Sequence, residues 1–134
     1  MALEDNNYAI RFTPDDAVAF NNRGRVRRAK GDVEGALADY NEAIRVKPDY
    51  AGTFINRGVA RQDKGDVEGA LADYNEAIRL KPDDAGAFYN RSVAHRAKGD
   101  VAGALADYNA AIRLRHDDAV TFNTRSSLRQ PHGP

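Results

Sequence analysis

Cysteine is absent from the chain, which removes disulfides, thiolate metal sites and a cysteine nucleophile together. An excess of charge is missing too, since 20 Lys and Arg stand against 20 Asp and Glu. A nucleic-acid binder usually carries a basic surplus on its contact face, so this balance argues against that class, although a local basic patch stays compatible with it. No apolar run approaches the ~18 residues of a membrane span. The N-terminus, Met1-Ala2-Leu3-Glu4-Asp5, lacks the basic and apolar regions of a secretory signal, and the expected setting is cytoplasmic. His95, His116 and His132 are scattered without metal-ligand spacing. Neither a Gly-rich phosphate loop, a nucleophile elbow nor a paired-carboxylate site occurs. The expectation is a protein that is not an enzyme and takes no cofactor or metal.

What the chain does have is self-similarity. Gly31-Asp32-Val33-Glu34-Gly35-Ala36-Leu37-Ala38-Asp39-Tyr40-Asn41-Glu42-Ala43-Ile44-Arg45 recurs unchanged from Gly65 to Arg79. It recurs again from Gly99 to Arg113 with two changes, Ala102 and Ala110. The step is 34 residues each time, and Phe20, Phe54, Phe88 and Phe122 keep it, as do Pro14, Pro48 and Pro82 until His116 breaks that column. A period of this length marks a stacked repeat. Each period reads as two helices. The first is expected over Asp15 to Lys30, with Asp15 as N-cap and Gly31 as left-handed stop. The second is expected over Val33 to Val46, capped by Asp32, favoured at its start by Glu34 and ended by Pro48. Val33, Leu37, Tyr40 and Ile44 share one face of it. A single hairpin of this kind has little core, so stability must come from its neighbours.

The pattern resembles the tetratricopeptide repeat (TPR) family over nearly the whole chain. The family's small residue of the first helix is matched by Gly24, Gly58, Ser92 and Ser126. Its alanines of the second helix are matched by Ala36, Ala70 and Ala104 and by Ala43, Ala77 and Ala111, and its aromatic by Tyr40, Tyr74 and Tyr108. The resemblance implies an all-α fold, a right-handed alpha-alpha superhelix of about eight antiparallel helices. The wording of the repeat resembles bacterial members. Leu3, Ala9, Ile10 and Pro14 align with Leu37, Ala43, Ile44 and Pro48, so the expected order is one second helix, three hairpins, then one first helix. The expected divisions of this single domain are a partial repeat at 1–16, repeats at 17–50, 51–84 and 85–118, an unpaired first helix at 119–130, and a frayed tail at 131–134.

Two departures from the family need partners. Arg23, Arg57, Arg91 and Arg125 stand where a Leu is usual, and Arg27, Arg61, His95 and Arg129 where a Tyr is usual. A charge in a packed position must be matched, and the second helix offers an Asp sixteen residues after each of the first three arginines. The pairs Arg23–Asp39, Arg57–Asp73 and Arg91–Asp107 are expected, at least partly buried. Gly35, Gly69 and Gly103 interrupt the second helix, and close packing against the next hairpin would account for them, as would simple duplication.

By the resemblance, first helices line a concave groove. There Asn22, Asn56 and Asn90 share a phase and would form a ladder of amides, each able to donate and accept to a peptide backbone. Ile55, Val59, Tyr89 and Val93 would supply an apolar floor, and Arg25, Arg28 and Arg96 positive charge. The implied function is a protein–protein interaction module, a scaffold or adaptor holding an extended acidic and apolar peptide. The carboxylate-clamp class of the family is not matched. Asn56 fits one clamp position, but Asn21, Arg25, Gly86 and Asn90 miss the other four. A second reading is a self-assembling structural element. Leu3, Ile10 and Phe12 at one end and Phe122 and Leu128 at the other would meet head to tail and give chains or rings, against a monomer as the first expectation. A third is an engineered or recently duplicated array without a selected partner.

Overall fold

The chain is described by a computed structural model that places residues 16–129, with side chains described through residue 123. Leu3, Ile10 and Phe12 and all but the last residue of the expected partial repeat at 1–16 lie outside the described residues, as does the side chain of Leu128. Six helices follow in order: α1 (Ala17–Ala29), α2 (Val33–Val46), α3 (Ala51–Asp63), α4 (Val67–Leu80), α5 (Ala85–Ala97) and α6 (Val101–Arg129). They pack as three hairpins, α1 with α2, α3 with α4 and α5 with α6, and each hairpin leans on the next through α2–α3 and α4–α5.

The turn within each hairpin is set by three residues. After α1, Gly31 takes φ 86°, and its amide donates to Arg28 O while Asp32 donates to Arg27 O at 2.8 Å. That pairing satisfies the last carbonyls of the helix, and only glycine adopts the conformation without strain. Asp32 then accepts from the amide of Gly35 at 2.9 Å, so one residue ends a turn and caps the next helix. A Cβ at Gly35 or Gly69 would lie 2.2 Å from the capping carboxylate of Asp32 or Asp66, a flexible group that would have to turn aside. The cap of α1 is Asp16, which accepts from Ala19, one residue beyond the expected Asp15.

The expected count of eight helices does not hold. Seven of the eight were expected among the described residues, which hold six, because the second helix of the third hairpin and the first helix expected at 119–130 are one continuous element of 29 residues. The cause is local. The earlier second helices stop at Lys47-Pro48 and Lys81-Pro82, where proline lacks an amide and disfavours helix in the residue before it. Arg115-His116 carries no such block, and the hydrogen-bond ladder runs through.

The core lies between hairpins as much as inside them. Ala36 and Tyr40 of α2 cluster with Ala60 of α3, and Ala70, Leu71 and Tyr74 of α4 with Ala94 of α5. Within a hairpin, small residues allow close approach: a Cβ at Gly58 would come within 2.5 Å of the Tyr74 ring. The unusual arginines brace each hairpin from within. Arg23 grips Asp39 with two bonds of 2.9 and 2.7 Å, Arg57 grips Asp73 at 3.0 and 2.8 Å, and Arg91 grips Asp107 at 2.8 Å through both nitrogens. All three carboxylates are buried. Arg27 and Arg61 converge on the same carboxylates at 3.1 and 3.0 Å, whereas His95 in the third hairpin stands 3.4 Å from Asp107. Each leading arginine also lies over the Phe one turn before it, 5.4–5.8 Å from the ring centre. Arg57 and Arg91 reach back as well, to Asn41 and Asn75 of the preceding hairpin at 3.0 Å.

Candidate functional site

The 34-residue step places Asn22, Asn56 and Asn90 at equivalent turns of α1, α3 and α5. All three border one open cavity of about 790 Å³. Ile55 and Val59 give it an aliphatic surface, and Val26, Ala29 and the edge of Tyr40 extend that surface onto the first hairpin. Arg25 and Arg28 line the same space. Seven of the ten residues expected to contact a peptide therefore share one hollow. The other three, Tyr89, Val93 and Arg96, border a separate cavity of about 420 Å³ with Val101, Ala104, Leu105 and Tyr108.

The polar groups are more committed than their sequence positions suggest. Asn56 donates from Nδ2 to Oδ1 of the buried Asn21 at 2.9 Å, so part of its capacity holds two hairpins together. Its carbonyl oxygen and second N–H lie outside that bond. Arg28 is bound to Asp63 by two bonds of 2.5 and 3.1 Å, and this hydrogen-bonded carboxylate raises its pKa further above the usual range. Arg28 thus enters the site as half of an ion pair, and Arg25, which is exposed, is the cation that is not held in that pair. The Tyr40 phenol is pushed up to about 12 by burial, with Arg28 and Arg25 opposing the rise. It is protonated at neutral pH and sits at the cavity wall.

Sequence reasoning missed Tyr40 as a wall of the hollow and Asp63 as the partner of Arg28. A signal existed for the second: both bonds across the groove, Asn21–Asn56 and Arg28–Asp63, span 35 residues, one more than the repeat. Tyr40 carried no such signal, because its place in the buried column hides the part that reaches the cavity. Among the described residues no group of three His, Asp or Glu is arranged to hold a metal, and no helix is long and apolar enough to cross a membrane.

Comparison with known proteins agrees with this architecture. A family model described as "TPR repeat" matches residues 24–65, and one described as "Tetratricopeptide repeat" matches residues 55–119. No curated protein matches the chain in sequence. Among solved structures, MamA superposes with a TM-score of 0.80 at 20% identity, over 87% of this chain and 68% of that one. The second TPR of Spaghetti (RPAP3), bound to the HSP90 peptide SRMEEVD, gives 0.71 at 26% identity, over 73% of this chain and 91% of that one. The first TPR of the same protein, bound to the same peptide, gives 0.72 at 22% identity, over 73% and 78%.

Proposed function

The chain belongs to the tetratricopeptide repeat family, and from that premise we propose that it is a protein-interaction module holding an extended peptide against α1, α3 and α5. The observation that carries this reading is the convergence of Asn22, Asn56 and Asn90 on one hollow floored by Ile55 and Val59. Amides repeated along a groove can bond a peptide backbone whatever its side chains, while the aliphatic floor rewards an apolar residue. Arg25 favours an acidic residue at the end of the hollow nearest α1. The peptide bound to the Spaghetti domains joins acidic and apolar residues in the same way, which supports this choice of ligand. The module acts by binding, without catalysis.

A displayed library of extended peptides, selected on the intact chain, tests the proposal. Selected sequences should pair acidic with apolar positions. Asn22→Ala combined with Asn90→Ala spares the Asn56–Asn21 bond and should weaken the best peptide more than tenfold, a loss of about 1.4 kcal/mol, with helicity unchanged. Equal affinity in the double variant sinks the groove as the binding site.

A further inference from the structure

The third hairpin presents a socket that its predecessors fill. In the first, Ala60 of α3 seats on Ala36 and Tyr40. In the second, Ala94 of α5 seats on Ala70, Leu71 and Tyr74. In the third, the equivalent residues Ala104, Leu105 and Tyr108 border the open cavity of about 420 Å³, and Leu105 and Tyr108 are largely exposed. The segment whose sequence is in register to cover them belongs to the same chain: Phe122, Arg125 and Leu128 follow Phe88, Arg91 and Ala94 by 34 residues. It cannot reach its own hairpin, because α6 runs straight through Arg115-His116 and carries it away. Phe122, whose counterpart Phe54 is buried, is accordingly exposed.

We propose that two copies of this chain exchange the C-terminal halves of α6, so that residues 117–129 of each close the third hairpin of the other. The two α6 helices would lie antiparallel, the direction in which α2 meets α3. Arg57 bonds Asn41 and Arg91 bonds Asn75 across the earlier joints; the same pairing here is Arg125 of one copy with Asn109 of its partner. Its midpoint, near Asp117, is where the two-fold axis passes, so both contacts form at once. By register Leu128 takes the place that Ala94 holds over the second hairpin. The contact is isologous and closes at two copies, unlike the head-to-tail chains that unpaired ends alone would suggest. It is independent of the groove reading. It also reassigns Tyr89 and Val93, which border the same socket, from peptide floor to dimer interface.

Light scattering on the full chain over a concentration series tests this. The expected mass rises to two copies and stops there. His116→Pro gives Arg-Pro-Asp, with the proline of the earlier Lys-Pro-Asp turns in place, lets residues 117–129 fold back, and should give a monomer at every concentration. Leu128→Asp, which leaves the turn alone, should also be monomeric with helicity intact, and it decides the matter if the proline variant does not fold. A wild-type mass that stays at one copy, a mass that grows past two, or a Leu128→Asp variant that still pairs would each overturn the exchange.

Discussion

The second and third hairpins carry second helices that differ at two positions, Ala102 and Ala110, yet their shared residues live in different surroundings. Leu71 is 7% exposed and Leu105 59%; Tyr74 is fully buried and Tyr108 is 47% exposed. The residues are the same, so burial here is a property of the neighbour. The first helix of the following hairpin covers α4, whereas no later hairpin covers the first half of α6 among the described residues. Stability in such an array is a sum over joints between units, and the contrast between α4 and α6 shows one joint made and one unmade from nearly the same sequence. The arginine clamps follow the same gradient. Asp73 is held by Arg57 and Arg61, while Asp107 has Arg91 and, at 3.4 Å, His95.

The largest test of that contrast is to remove each carboxylate. Asp73→Ala strands two guanidiniums inside a covered hairpin, for a loss of about 3–5 kcal/mol. Asp107→Ala strands one guanidinium in a hairpin with an open side, and the expected loss is on the order of 1–3 kcal/mol. Urea denaturation of both variants at a concentration where the chain is monomeric gives the comparison. A loss below ~1 kcal/mol at Asp73, the usual worth of an exposed pair, would mean that the clamps are surface decoration.

Much of this was legible beforehand, and the misses are specific. The span of α2 was readable because Asp32 and Pro48 punctuate both ends, and the clamps because a charge at a packed position demands a partner. The fused α6 was not, because three matching columns of the repeat outweigh one broken column, although helix continuity turns on His116 alone. In the groove, the positions of the asparagines were readable from the period. The commitments of Asn56 and Arg28 were not, since partners one residue out of step with the repeat fall in no column.

Truncating a leucine on each side probes the apolar half of the same contrast. Leu71→Ala removes a buried side chain from a cluster that spans two hairpins and should cost about 2–4 kcal/mol. Leu105→Ala should stay within ~0.5 kcal/mol in the dilute chain, as substitutions of exposed residues do. If its cost climbs toward that of Leu71→Ala as protein concentration rises, the face of α6 is being covered by a second copy. Equal costs in dilute solution would show that α4 and α6 are covered alike, and the comparison would fail.

The smallest test uses a position where the chain itself made the substitution. Gly58 lies under the Tyr74 ring, where an added Cβ would approach to 2.5 Å; the equivalent residue in the third hairpin is Ser92, whose hydroxyl donates to Tyr89 O at 2.6 Å. Tyr74 is held between Gly58 and the covering Ala94 and has nowhere to move, while Tyr108 opens onto a cavity and can yield to a side chain at 92. Gly58→Ser should therefore cost about 1–3 kcal/mol through overpacking. The gain of helix propensity on leaving glycine, under about 1 kcal/mol, works against that and does not cancel it. Ser92→Gly loses the propensity without relieving any strain, so it should destabilise by about 0.5 kcal/mol. Thermal melts should show both variants destabilised, Gly58→Ser the more, although the two substitutions run in opposite directions. A Gly58→Ser chain as stable as the parent would show that the ring can retreat, and that covering a joint does not lock the aromatic beneath it.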